Sequence, residues 1–139
     1  MPKRIVIDSG PLIALFDKDD KFHGKSLEFI KNLKGELFSN CAVITEVTHL
    51  LDFSVRAQVG FLRWIIDGGM TIVDITEEDI VRIIELTEKY SDLPMDFADA
   101  SLVVLCERMK IGDIASIDKD FGIYRMRDKK SLKNVFLHC

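Results

Sequence analysis

Residues 5–15 read IVIDSGPLIAL, an apolar run that ends on an acid and gives way within three residues to a helix start. Residues 4–7 carry Ile5, Val6 and Ile7 with no polar alternation, the pattern of a strand covered on both faces in a parallel sheet. Pro11 has a fixed φ and no amide to donate, which suits the first turn of a helix carrying Leu12, Ile13, Leu15 and Phe16. The rest of the chain keeps alternating strand and helix, so the fold class is α/β with a largely parallel, covered sheet.

Working outward, residues 23–33 read as a helix closed before Gly35, and residues 36–38 as a short strand. Ser39 or Asn40 caps a helix over 42–53. Residues 55–67 form another helix, stopped by Gly68 and Gly69, and 70–75 a strand. Thr76 with Asp79 resembles a capping box that opens a helix to residue 90. Pro94 marks a loop, and Asp96 caps a helix that ends at Met109 or Lys110. Strands follow at 114–117 and 135–137. No repeat, low-complexity stretch or linker interrupts the chain. Its 139 residues suit one core, so residues 1–139 are read as a single domain.

Apolar residues make up 47% and charged residues 30%, an ordinary globular balance. No apolar run approaches the roughly 20 residues that span a bilayer. Asp8 and Asp17 break the apolar start that follows Lys3 and Arg4, which argues against a secretory signal and for a cytoplasmic protein without membrane contact. Cys41, Cys106 and Cys139 are odd in number and lack CxxC spacing, so free, mostly buried thiols are expected rather than disulfides or zinc. A net charge of −4 argues against simple blanket binding of nucleic acid by a basic surface. The charge is uneven: from Lys119 onward six basic residues face two acids, a +4 tail on a −8 body. Lys129, Lys130 and Lys133 with Arg125 and Arg127 read either as a phosphate-binding rim or as a solvated face.

Four acids stand where a plain core would not place them. Glu46 lies on the stripe of Val43, Val47, Leu50 and Leu51, and Asp99 at the edge of the stripe of Ala98, Leu102, Leu105, Cys106 and Met109. A carboxylate against apolar neighbours loses hydration and needs a proton or a cation in exchange. Asp8 follows the first strand and Asp118 the run 114–117, and ligands of open α/β sheets bind beyond the carboxyl ends of strands. Carboxylates gathered in one crevice raise one another's pKa. A hard divalent cation resolves that conflict, and an all-oxygen donor set suits Mg²⁺ or Mn²⁺ better than zinc. Such an ion can bind a phosphate oxygen and activate water for phosphodiester cleavage.

Each acid also has a plainer reading. Asp8 can end a strand and cap the Pro11 helix, and Glu46 can be a peripheral helix residue. Asp96 reads first as a cap, and Asp120 as part of a turn with Asp118. His49, three after Glu46, gives the Glu-x-x-His spacing of carboxylate-bridged iron sites, but its second copy is absent. Trp64 with Phe61 and Leu62 reads as core or interface rather than as a base-stacking platform.

These residues together resemble the PIN domain family, which includes VapC-type toxins and ribonucleases like the N-terminal part of PilT. Residues 5–15 resemble the family's strand, acid, small hydroxyl residue and apolar helix. SNCAVITEVTHLL, residues 39–51, carries its helical Glu; LPMDFADASLVVLCE, residues 93–107, resembles its most diagnostic stretch; ASIDKDF, residues 115–121, is similar to its Thr-x-Asp-x-x-Phe element. Ser116 stands where Thr is commoner and keeps the hydroxyl. The resemblance implies a three-layer α/β/α sandwich and a metal-dependent endoribonuclease using metal-activated water, the toxin of a toxin–antitoxin pair. It implies catalytic and metal roles for Asp8, Glu46, Asp99 and Asp118, hydroxyl support from Ser9 and Ser116, and Asp96 as an extra ligand. It also implies an RNA substrate, a cognate antitoxin and a homodimer. The alternative within the family is an RNA- or partner-binding module without catalysis. A response regulator or haloacid-dehalogenase-like phosphatase is disfavoured, because Asp8 lacks the second acid either would require.

Overall fold

In the computed structural model, which describes residues 2–137, the run from Ile5 to Ile7 is the centre of the molecule. It belongs to β1 (Lys3–Ile7), which pairs in parallel with β2 (Gly35–Ser39) on one side and β4 (Asp113–Ala115) on the other. Outer strands β3 (Thr71–Ile72) and β5 (Lys133–Asn134) complete an all-parallel sheet ordered β3-β2-β1-β4-β5. Val6, Ile7, Leu37 and Ile114 are fully buried, as expected for central strands with both faces covered.

The covering helices are α1 (Ser9–Phe16), α2 (His23–Lys31), α3 (Cys41–Leu50) and α4 (Val55–Ile66), then α5 (Glu77–Lys89) and α6 (Phe97–Met109). Right-handed crossovers outward from β1 through β2 to β3 put α1–α4 on one face. The return from β3 to β4 puts α5 and α6 on the other. Contacts of α1 with α2, α3 and α4, and of α5 with α6, agree with this sandwich. The strand order therefore reverses between β1 and β4, and the carboxyl ends of two such strands are where an open α/β sheet binds ligands.

Local signals set most boundaries. Asn40 accepts the Val43 amide at 3.2 Å and caps α3, Thr76 and Asp79 form the capping box of α5, and Lys110 in the left-handed region closes α6. The helix expected over 42–53 ends at Leu50, because Ser54 starts α4 as its cap. The strand expected over 70–75 shrinks to Thr71–Ile72: the next carbonyl but one, of Asp74, accepts from Arg108 Nη2 at 2.8 Å instead of from a neighbouring strand. The strand expected over 114–117 is Asp113–Ala115, and that over 135–137 lies two residues earlier, at Lys133–Asn134. Cys106 is buried as expected but Cys41 is exposed, and Cys139 lies outside the described residues.

Candidate active site

Asp8 is the first residue after β1, and its amide donates to Ala115 O at 2.9 Å, tying it to the end of β4. Its side chain caps α1: one oxygen accepts from the Ser9 amide at 2.7 Å and the other from Ser116 Oγ at 2.8 Å. Ser116 is wholly buried and its Oγ also accepts from the Asp118 amide at 2.9 Å. Asp118 in turn accepts from the Asp120 amide at 2.9 Å and opens the 3-10 turn Lys119–Gly122. From the flank, α3 brings Glu46 to Ser9, whose hydroxyl donates to Glu46 Oε1. The hydroxyls of Ser9 and Ser116 thus bind three of the expected acids into one network.

Asp99 enters from the other face of the sheet. Asp96 accepts the Asp99 amide at 2.8 Å and Asp99 accepts the Asp96 amide at 3.2 Å, a reciprocal cap at the start of α6. Asp96 is exposed and its carboxylate is engaged as a cap, the first of its two expected readings. Asp99 is only 9% exposed. Burial, and then the charges of Asp96, Asp8 and Asp118, push its pKa up to about 8 against the pull of the Asp96 amide. For Asp8 burial dominates again; the Ser9 and Ser116 hydrogen bonds oppose it, Glu46 and Asp118 reinforce it, and the pKa rises to about 6. Asp8 thus lies in the field of Glu46 and Asp118, and Asp99 in that of Asp8 and Asp118.

Two residues of this site have no sequence signal strong enough to single them out. Asn134, at the end of β5, donates to Ser116 O at 3.0 Å, and its Oδ1 accepts from the amides of Ser116, Phe136 and Leu137 at 3.4, 3.1 and 3.2 Å. The carboxamide replaces a strand backbone for Ser116 and turns the chain away, which is why β4 and β5 both stop early. An Asn in a sheet is disfavoured, and that is the only clue the sequence offers. Asn134→Leu should cost about 1–3 kcal/mol in urea unfolding, because buried amides and a carbonyl lose their partners; an unchanged midpoint would deny the clamp. Tyr124 is the second residue. Its hydroxyl is buried without a hydrogen-bond partner among the described residues. Burial and the charges of Asp99, Asp118, Asp120 and Asp96 raise its pKa.

Other candidates go elsewhere. His49 is exposed, and the Trp64 ring packs on Phe16 and Phe61 in the core. Arg125 Nη1 donates to the carbonyls of Gly122 and Ile123, both at 2.8 Å, and Arg127 reaches Glu85, so neither arginine stands free as a rim. A concavity of about 690 Å³ between α5, α6 and the turn near Met126 contains none of the four acids.

The donor set fits a hard cation. Glu46, Asp99 and Asp118 each keep one carboxylate oxygen outside the hydrogen bonds above, all donors are oxygen, and the orphaned Tyr124 hydroxyl faces an acidic surround. Among the described residues no three His, Cys, Asp or Glu side chains already form a cage.

A family model described as the PIN domain matches residues 5–127. Ribonuclease VapC26 of Mycobacterium tuberculosis is 26% identical over 117 residues, which is 83% of this chain and 87% of that protein. Among solved structures, VapC20 of Mycobacterium tuberculosis, described as a sarcin-ricin loop cleaving toxin, superposes with a TM-score of 0.79 at 19% identity over 86% of this chain and 93% of that one. VapBC2 from Rickettsia felis, bound to a DNA fragment from its promoter, gives a TM-score of 0.66 at 14% identity, covering 94% and 98%. PAE2754 from Pyrobaculum aerophilum gives 0.63 at 16%, covering 99% and 93%.

Proposed function

This chain belongs to the PIN domain family, and on that premise we propose that it is a divalent-metal-dependent endoribonuclease, the toxin of a toxin–antitoxin pair. The observation that carries the reading is the Ser9 and Ser116 network that ties Asp8, Glu46 and Asp118 together at the ends of β1 and β4, with Asp99 in the field of Asp8 and Asp118 and both Asp8 and Asp99 raised in pKa. The ribonuclease named VapC26 and the toxin and complex named VapC20 and VapBC2 support the same direction.

Asp8, Asp99, Asp118 and Glu46 are the residues that would hold Mg²⁺ or Mn²⁺. When bound, the ion supplies charge neutralisation at a phosphate and a lowered pKa for water. The protein's own part is orientation. Ser116 fixes Asp8 and the start of the Asp118 turn, and Ser9 fixes Glu46 against Asp8. In this reading the free oxygen of Glu46 would orient water, and Asp99, set by its reciprocal cap with Asp96, would add its carboxylate from α6. Attack of water on phosphorus breaks one phosphorus–ester oxygen bond and leaves one phosphate and one hydroxyl end.

Likeness to the VapBC2 complex supports an antitoxin as a partner, and a second copy of the chain is proposed from the family resemblance alone. No helix among the described residues is long and apolar enough to cross a membrane. Incubation of the purified chain with total cellular RNA tests the activity: fragments are expected with Mg²⁺ or Mn²⁺ and none in EDTA. Intact RNA under both ions, or equal cleavage in EDTA, would remove the proposal.

A further inference from the structure

A negative crevice that cuts a polyanion has to solve a second electrostatic problem. One phosphate is drawn to the cation, while the phosphates on either side are repelled by the same carboxylates. A nuclease of this charge needs cations beside the acids rather than on a distant face.

One groove of the molecule meets that need. It has a volume of about 740 Å³ and is lined by Lys119, Gly122, Ser131, Lys133, Asn134 and Leu137. It joins the acidic network at two points: Lys119 directly follows Asp118, and Asn134 holds Ser116, which holds Asp8. Lys119 and Lys133 are exposed, and neither has a carboxylate within ion-pair distance among the described residues. Arginines elsewhere are already committed: Arg82 to Glu107, Arg108 to Asp79, Arg125 to backbone carbonyls. β5 is moreover an edge strand whose Lys133 and Val135 amides bond to Gly112 and Ile114 carbonyls. Strand alternation turns the Asn134 backbone amide away from β4, toward the free edge of the sheet.

We propose that the groove between Lys119 and Lys133 is the subsite for the sugar–phosphate backbone of single-stranded RNA flanking the scissile bond. Lys119 and Lys133 take phosphates as flexible point charges, and Ser131 and the outward Asn134 amide offer neutral donors. Such contacts position the strand without reading its sequence. This inference rests on the ribonuclease reading and adds where the strand lies.

The test is the salt dependence of RNA binding, measured by fluorescence anisotropy of a labelled single-stranded oligonucleotide between low and moderate KCl. All proteins carry Asp99→Asn so that the RNA is not consumed. Each phosphate contact on a single strand contributes about 0.7 to the slope of log K against log salt. The pair K119Q/K133Q should therefore flatten the slope by about 1.4. K129Q/K130Q changes net charge equally, on the turn outside this groove, and should leave the slope as it was. A slope unchanged by K119Q/K133Q, or flattened equally by both pairs, overturns the subsite. Unaltered melting temperatures establish that the variants are folded. If the parent chain cleaves the same RNA with Mn²⁺, either of those results counts against the groove alone; if it does not, the ribonuclease reading itself fails.

Discussion

Replacement of Asp99 by Asn is expected to lower RNA cleavage by about a thousandfold or more while leaving the fold as stable as before, or more stable. The two halves of this expectation have different causes. Asn keeps an oxygen that can accept the Asp96 amide, so the reciprocal cap of α6 survives. The substitution deletes a charge that burial and the fields of Asp96, Asp8 and Asp118 make costly to hold. Stability should not fall, and a gain is the natural sign. Activity depends on that same costly charge, because a neutral amide is a poor partner for a divalent ion and offsets none of its charge. Losing several kcal/mol of electrostatic stabilisation at the reacting phosphate corresponds to about three orders of magnitude in rate. Steady-state cleavage rates and urea unfolding of the same preparations decide the matter. If Asp99 is only a helix cap, activity stays within a few-fold of the parent.

Asp8→Asn should lose activity comparably but gain less stability than Asp99→Asn, because the relief of its raised-pKa charge is offset by a lost hydrogen bond. Asp8 accepts from both the Ser9 amide and Ser116 Oγ, and Asn has a single acceptor oxygen for the two. The contrast between the two variants separates a catalytic charge from a structural acceptor. Asp99 tests the first almost alone; Asp8 tests both together.

The central strands and the acids at their ends were legible because a strand buried on both faces is written as an unbroken apolar run, and Asp8 and Asp118 follow such runs. Glu46 and Asp99 were legible because helical periodicity places them on or beside apolar stripes. Periodicity says less about which flank of a stripe meets a partner. Leu50 shares a stripe with Val43 and Val47 yet is 51% exposed, because α3 ends there and the chain turns toward Ser54. The edge strands were misplaced for a related reason. β3 and β5 are two residues each, too short for a pattern, and side-chain hydrogen bonds from Arg108 and Asn134 set their limits. Asn134 joins the site through its bond to Ser116, 18 residues away, and Tyr124 through the field of Asp99 and Asp118, and no local window contains either relation.

In EDTA the folded chain should lose stability as pH rises from about 5 to 8, and Mn²⁺ should restore most of it at the alkaline end. The folded pKa of Asp8 lies at about 6 and that of Asp99 at about 8, both above the roughly 3.9 of an unfolded Asp. Over that interval the native state binds more protons than the unfolded state, so the slope of stability against pH is negative. The favourable contribution of the protonated carboxyls is complete below about pH 4. It is lost as pH passes about 6 for Asp8 and about 8 for Asp99. A cation occupying the crevice competes with those protons, so its stabilisation must grow as they leave. At a hundredfold excess over its dissociation constant, Mn²⁺ adds about 2.7 kcal/mol at pH 8, and in a domain of this size that raises Tm by about 10 °C. At pH 5 the same Mn²⁺ should move Tm very little. Thermal melts at three pH values, with and without the ion, give all the differences needed. Asp99→Asn should flatten the EDTA series and shrink the Mn²⁺ effect, because the same carboxylate produces both. A metal-free stability that instead climbed from pH 5 to 8 would mean that the acids are held apart or individually compensated, and the crevice would then have no use for a divalent ion.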